Sequence, residues 1–240
     1  MLSFEQTVIA LLGALLGALI QGSVGFGFAL VVVPVLTLMD PTTLPATILI
    51  LAVPLTLVMS IRERGSIDGS GLLLILAGRV VGTAAGVWLL VIVPDSRLAV
   101  LLGAVLLASV LMSAVTPPSD AAESGKLLAG IASGIMGTAA AIGGPPLALA
   151  YQSRPGPQLR STLAASFVVG SLISLAALWI TGQIRVAQVL LALELLPAVA
   201  AGLYLSRRTI GILDHRWLRP AVLAFAGAAG LLTLLEGLLR

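Results

Sequence analysis

The sequence has no cysteine and a single histidine, His215. Disulfides, thiolate metal sites and a cysteine nucleophile are thereby excluded, and one imidazole in a basic stretch cannot build a metal centre. There is no GxxxxGK[ST] for ATP, no HExxH and no GxSxG. Neither an enzyme nor a cofactor is expected, and transport driven by ATP would need a partner chain. Charge is scarce as well: 10% of the 240 residues are charged against 59% hydrophobic, and mean hydropathy is +1.14. A soluble domain carries roughly 25% charged residues. This surface must therefore face hydrocarbon, and the small net charge of +3 suggests no nucleic-acid partner.

What the chain does have is apolar runs, at 6–39, 42–61, 70–93, 98–115, 127–151, 161–181, 187–205 and 220–238. The connections between them are too short for a folded domain. The runs are continuously apolar where membrane barrels alternate, so the backbone must satisfy itself as helix. The first run carries Glu5 and no basic residue before it, which suits a membrane segment better than a signal peptide. An all-α, multi-pass protein of the inner or plasma membrane is predicted, with the lipid bilayer as its environment.

Two runs differ from the rest. As one straight helix, 6–39 would be about 51 Å long, against a hydrocarbon core of about 30 Å. Its middle holds Gln21-Gly22-Ser23-Val24-Gly25-Phe26-Gly27, with Pro34 beyond. Residues 127–151 hold Gly134, Gly137 and Gly143-Gly144-Pro145-Pro146. Glycine costs about 1 kcal/mol and proline about 3 in a helix interior, so both runs are expected to break.

The odd runs also align. Gly22, Gly25 and Pro34 match Gly134, Gly137 and Pro146 at an offset of 112. Gly65-x-Ile67 matches Gly182-x-Ile184 at 117, and Asp95-x-Arg97 matches Asp214-x-Arg216 at 119. The chain thus divides into a first repeat, 1–116, and a second, 127–240, joined by the linker 117–126. If each broken run crossed the membrane once, basic residues would divide 7 to 5 between the two sides. If each enters and returns on one side, the division is 9 (Arg62, Arg64, Lys126, Arg154, Arg160, Arg207, Arg208, Arg216, Arg219) to 3 (Arg97, Arg185, Arg240). The positive-inside rule selects the second arrangement and puts both termini outside the cytoplasm. Each half is then a re-entrant or broken segment followed by three transmembrane helices, an odd number of crossings. The second half is inserted upside down, as in secondary transporters built from inverted-topology repeats.

A break exposes helix N-termini, whose free N–H groups and partial positive charge suit an anion. The expected binding site lies between the breaks, with Gln21, Gly22, Ser23, Gly25, Gly27, Gly134, Gly137, Thr138, Gly143 and Gly144 around a small anionic substrate. Ser23 and Thr138 are expected to face it. Glycines serving only close helix packing remain the alternative. Arg79 and Glu194 lie well inside segments and are expected to face the interior. They either pair with each other, or serve separately as anion attractor and proton carrier, a proton being the candidate coupling ion. Gly103, in an uninterrupted segment, is expected to tolerate a β-carbon that Gly25 and Gly137 would not.

Gly22-Ser23-Val24-Gly25-Phe26-Gly27 leading to Val33-Pro34, echoed by Gly134-x-x-Gly137 leading to Gly143-Gly144-Pro145-Pro146, resembles the TauE/SafE family of sulfite and organosulfonate exporters. The resemblance spans essentially the whole chain. It implies a secondary permease for small sulfur-containing anions, with export favoured over uptake. Phe26 and Phe28 depart from the family's more glycine-rich pattern and bring two aromatic rings to the site. An anion channel using the same cradle, or a non-transporting scaffold or assembly factor, are the competing readings, and a homo-oligomer is compatible with each.

Overall fold

The computed structural model describes residues 3–115, 122–209 and 215–239, with side chains over 3–114, 122–209 and 221–239. Ten α-helices and no strand are found among them: α1 Phe4–Val24, α2 Phe28–Met39, α3 Ala46–Arg62, α4 Gly69–Ile92, α5 Leu98–Val115, α6 Glu123–Ala140, α7 Gly144–Ala150, α8 Gly156–Ile180, α9 Val186–Thr209 and α10 His215–Leu239. Six are long and apolar enough to cross a membrane: α1, α4, α8, α9, α5 with the turn before it, and most of α10. The chain is a multi-pass membrane protein. The linker 117–126 and Asp214 of the third repeat match lie largely outside the described residues, as do Arg240 and the side chains of Arg216 and Arg219.

The two long runs are interrupted where the glycine motifs stand. At α1, Ser3 and Gln6 form a capping box, and Gly25 ends the helix in the left-handed conformation at φ +106°. The chain then folds back, so that a β-carbon on Gly17 would meet Val32 and Phe28, and one on Gly13 would meet Val35. Gln21 holds the bend from both sides. Its carbonyl accepts the Gly25 N–H at 2.7 Å, and its Oε1 accepts the Phe28 N–H at 3.0 Å. At α6 the left-handed residue is Ala141, and both its own N–H and that of Ile142, the latter at 3.1 Å, return to the Met136 carbonyl. The Ser133 hydroxyl then donates to the Gly143 carbonyl at 2.7 Å and seats α7 beside α6.

Packing between the halves is reciprocal. Helix α1 lies on α9 and α6 on α4; α4 touches α8 as α9 touches α3; α3 crosses α8 and α5 runs along α10. Helix ends at the two breaks and on α4 and α9 keep a nearly constant spacing: Val24 to Ala140 and Phe28 to Gly144 are each 116 residues, and α4 to α9 is 117 at both ends. The 112-residue glycine match is therefore one helical turn out of structural register. The positional counterpart of Gly25 is Ala141, and that of Gly27 is Gly143. Glycine identity misled because it answers two demands. Gly134 is a packing residue whose β-carbon would press on Gly82 and on the Arg79 carbonyl, whereas Gly25 is a turn residue.

Polar contacts sort the helix ends into two groups. Near one end of the bundle, Arg62 Nη2 donates to the Gly22 carbonyl at 2.7 Å and Arg160 grips Glu63 with contacts of 2.9–3.1 Å. Lys126 and the Tyr151 hydroxyl both reach Asp68 at 2.8 Å, and Ser23 meets Thr209 at 2.8 Å. At the opposite end Arg185 pairs with Asp95 at 2.7 Å, and Gln188 donates to the carbonyls of Thr42 and Leu44 at 3.0 and 2.9 Å. The first hairpin's return is thus tied by α9, and the second hairpin's return by the start of α4.

Gly103 does not behave as an ordinary segment residue. A β-carbon there would lie 2.8 Å from the Leu234 backbone nitrogen, because α5 meets α10 at that point. Gly65 faces open space. The closest seam is α4 on α6, where a β-carbon on Gly82 would run into the Ile131 carbonyl. Gly82→Leu is expected to cost about 3 kcal/mol or more through overpacking and to lower the melting temperature in detergent, while Gly65→Ala leaves it unchanged. Equal melting temperatures for both variants would mean the seam does not hold the halves together.

Asp68 caps α4 by accepting the Gly71 N–H. The Lys126 ammonium, chiefly, holds its carboxyl well below the usual carboxylate range against the opposing effect of burial, with Gly71, Tyr151 and Ser70 assisting. A depressed folded value contributes stability above the unfolded pKa of about 3.9 and loses it as pH falls below that. Asp68→Asn should therefore melt below the parent at neutral pH, with the gap closing below about pH 4. A gap independent of pH in thermal melts would contradict this.

Candidate functional site

The two breaks meet. A β-carbon on Gly144, the first residue of α7, would lie 3.4 Å from Phe26 Cβ in the bend of the first hairpin. Between the breaks is a narrow cavity of about 40 Å³. Its wall contains the start of α2 (Gly27 to Leu30), the start of α7 (Gly143 to Pro145), Gln21, Gly137, Phe167, Ser171 and Arg79.

Arg79 is the cation of this cavity and is 1% exposed. Its Nη1 donates to Ser133 Oγ at 3.0 Å, and Ser133 passes the contact on to the Gly143 carbonyl. The Phe167 ring centroid lies 5.9 Å from the guanidinium carbon, at the outer limit for a cation–π contact. Among the described residues, Arg79 Nε has no partner and no carboxylate pairs with the side chain. Gly170 makes room for it: a β-carbon at that position would collide with the guanidinium. Arg79 thus enters from α4, passes the bare backbone of α8 and is steadied by α6. It presents a charge with unused donors to the space between the hairpins.

The helix starts contribute unequally. The first-turn N–H groups of a helix have no intrahelical acceptor. In α2, Phe28 uses its N–H on Gln21, leaving those of Ala29 and Leu30. In α7, Pro145 and Pro146 carry no N–H, and Gly144 alone remains in the first three positions. The two breaks therefore differ in what they offer: the second hairpin supplies one N–H and, through Ser133, the placement of Arg79.

Of the residues expected at the site, Gln21, Gly27, Gly137, Gly143, Gly144 and Arg79 line the cavity, and the others do not. Ser23 donates to the Leu19 carbonyl at 2.8 Å and meets Thr209 of α9. Thr138 joins Thr83 of α4 and Ser174 of α8 at 3.3 and 2.7 Å. Both hydroxyls fasten helices instead of facing the cavity. Gly22 packs on Ser206, Gly134 on α4, and Gly25 forms the bend against Arg160. Glu194 is exposed, sharing a cleft with Gln6, Thr7 and Asp40, and does not pair with Arg79. Eight residues into its segment, it turns outward from α9 where Leu191 and Leu195 turn inward.

Besides Arg79, α8 brings three residues from outside the glycine motifs to the site. Phe167 and Ser171 face the cavity from α8, and Gly170 admits the arginine. The signal for them is spacing: 167, 170, 171 and 174 share one face of a helix. Among the described residues, no group of three or more His, Cys, Asp or Glu side chains is placed to hold a metal ion.

No curated protein and no solved structure matches the chain. A family model described as sulfite exporter TauE/SafE matches residues 9–233, from within α1 to within α10. That span takes in both hairpins, Arg79 and every helix that lines the cavity, so the chain belongs to the TauE/SafE sulfite exporter family.

Proposed function

We propose that this protein is a secondary carrier that exports small sulfur-containing anions, such as sulfite or organosulfonates, holding the anion between the two helix breaks. The observation that carries the reading is Arg79. A charged side chain within the bilayer costs about 2.5–3.5 kcal/mol on insertion scales, and among the described residues no carboxylate offsets it. An anion in the cavity supplies the missing countercharge, and family membership supplies its chemical class. Donors from the start of α2, from Gly144 and from Arg79 would replace the hydrogen bonds an oxyanion leaves behind in water.

The two halves are read as inverted-topology repeats. Reciprocal packing and the 116- to 117-residue spacing of helix ends support this, as does the return of each hairpin to the end where it began. The end carrying Arg62, Arg64, Lys126, Arg154, Arg160, Arg207 and Arg208 is then cytoplasmic. The cavity wall contains no carboxylate, so a proton coupled to export would travel on the anion and not on Glu194.

Counterflow of labelled sulfite into liposomes, competed by sulfonates, tests the reading. Arg79→Met should lose at least about tenfold in apparent affinity, the value of one or two hydrogen bonds to a charged group. Gly137→Ala, whose β-carbon would sit 3.3 Å from Arg79 Nη2, should also impair transport. Ser23→Ala, Thr138→Ala and Glu194→Gln should retain it. Undiminished counterflow in Arg79→Met at matched membrane abundance would move the site elsewhere. Currents that rise with the field without saturating would identify a channel.

A further inference from the structure

Two cavities share the wall formed by Phe26, Gly27 and Leu30. One is the central cavity with Arg79. The other is a chamber of about 390 Å³ bounded by the first bend, by Leu149, Gln152 and Arg154 around the end of α7, and by Ser113 of α5 and Leu223 of α10. It stands at the basic end of the bundle. Tyr151, next to Gln152, bonds Asp68 together with Lys126, and Leu159 in the chamber wall precedes Arg160, which grips Glu63. Arg154 brings positive charge to this wall, and Gln152 and Ser113 bring polar groups, so the chamber suits an oxyanion that still carries water.

Toward the opposite end the central cavity is closed differently. The cleft that holds Glu194 shares no wall residue with it. Thr43 lines that cleft and Ile48 lines the cavity; between them Ala46 and Thr47 are fully buried, and Thr47 donates to the Gln188 carbonyl of α9 at 3.1 Å. Packed helix fills the way on that side. On the basic side the partition is the first bend, where Phe26 stands between Gly25 and Gly27, at φ +106° and +125°. Its ring reaches the second hairpin: a β-carbon on Gly144 would lie 3.8 Å from Phe26 Cδ2 and 3.8 Å from Phe167 Cζ. Two aromatic rings thus converge over that glycine.

We infer that the chamber is the cytoplasmic antechamber of the anion path and that Phe26 is its gate. The ring closes the way to Arg79 when it lies on Gly144 and opens it when it turns toward the chamber. Glycine on both sides lets the bend carry the ring aside without the strain a β-carbon would add. An apolar ring suits the task, because it keeps water from the buried cation and offers a passing anion no bond that would hold it. The inference rests on the central cavity being the anion site and the basic end facing the cytoplasm, and it adds the route by which the anion arrives.

The chain has no cysteine, so single thiols report access directly. Leu149→Cys places one in the antechamber and Ser171→Cys one in the central cavity. Each is made in the parent and in Phe26→Ala, using the full chain in vesicles of known orientation. The probe is the impermeant anionic reagent sulfonatoethyl methanethiosulfonate. From the cytoplasmic side, Leu149→Cys should react at rates within about twofold in the two backgrounds, whereas Ser171→Cys should react about tenfold faster with Phe26→Ala, since its rate scales with the fraction of time the way is open. Applied from outside, the reagent should show no such gain. Phe26→Leu, smaller and still apolar, takes the same role should Phe26→Ala not fold. Equal Ser171→Cys rates with and without the ring overturn the inference, as does modification of Leu149→Cys only from the outer face or only by lipid-soluble N-ethylmaleimide. Methanesulfonate should slow modification of Ser171→Cys in an Arg79-dependent manner. Failure of that protection overturns the central anion site on which the inference rests, whereas protection without a Phe26 effect removes the gate alone.

Discussion

Arg79 brings a full positive charge into a helix that otherwise reads as hydrocarbon-soluble, and among the described residues its hydrogen-bond partner is one hydroxyl. That condition organises the centre of the molecule. Helix α8 gives up a side chain at Gly170 so that the guanidinium can pass. Ser133 is held by the Gly143 carbonyl and so fixes the arginine and the second bend together. Phe167 lies beside the guanidinium, which limits the water that could screen it. Each of these residues sits on a different helix from Arg79, so the charge is placed by assembly of the bundle and not by α4 alone.

The bends set a second constraint. An interrupted helix in apolar surroundings leaves N–H and C=O groups that must find partners, and the two hairpins find them differently. In the first, one residue, Gln21, accepts from both sides of the interruption. In the second, the Met136 carbonyl takes the N–H groups of Ala141 and Ile142 at the end of α6, while Pro145 and Pro146 open α7 without N–H groups to satisfy. The solutions are alike in shape and unlike in chemistry. One hairpin presents backbone donors, and the other presents a side-chain cation through its neighbour.

Much of this was legible in the residues. Apolar runs, their number and the two interruptions follow from composition and from the cost of glycine and proline in helices, and the breaks fall inside the motifs that announced them. Register was harder. Gly22 with Gly134 and Gly25 with Gly137 suggested an offset of 112, whereas the helix ends at the two breaks stand 116 residues apart, because glycine marks a turn at one position and a packing seam at another. Side-chain direction was harder still. Ser23, Thr138 and Glu194 have the right chemistry for a site, but helix rotation of a fraction of a turn decides whether a hydroxyl meets a cavity or a neighbouring helix. In nearly uniform apolar helices little amphipathic pattern records that rotation. Gly103 illustrates the same limit, since only its contact with Leu234 reveals that its segment is closely packed.

The crossed packing of the halves also bears on how the chain is made. Helix α6 finds its main partner, α4, already synthesised and can dock as it emerges. Helix α1 cannot, because its main partner is α9, which begins at Val186. The first hairpin must therefore wait in the bilayer, the face that α9 later covers still open, through the insertion of α3 to α8. Until the ribosome has delivered α9, the nascent chain keeps that face uncovered, and a chain truncated before that point would lack the helix that covers it.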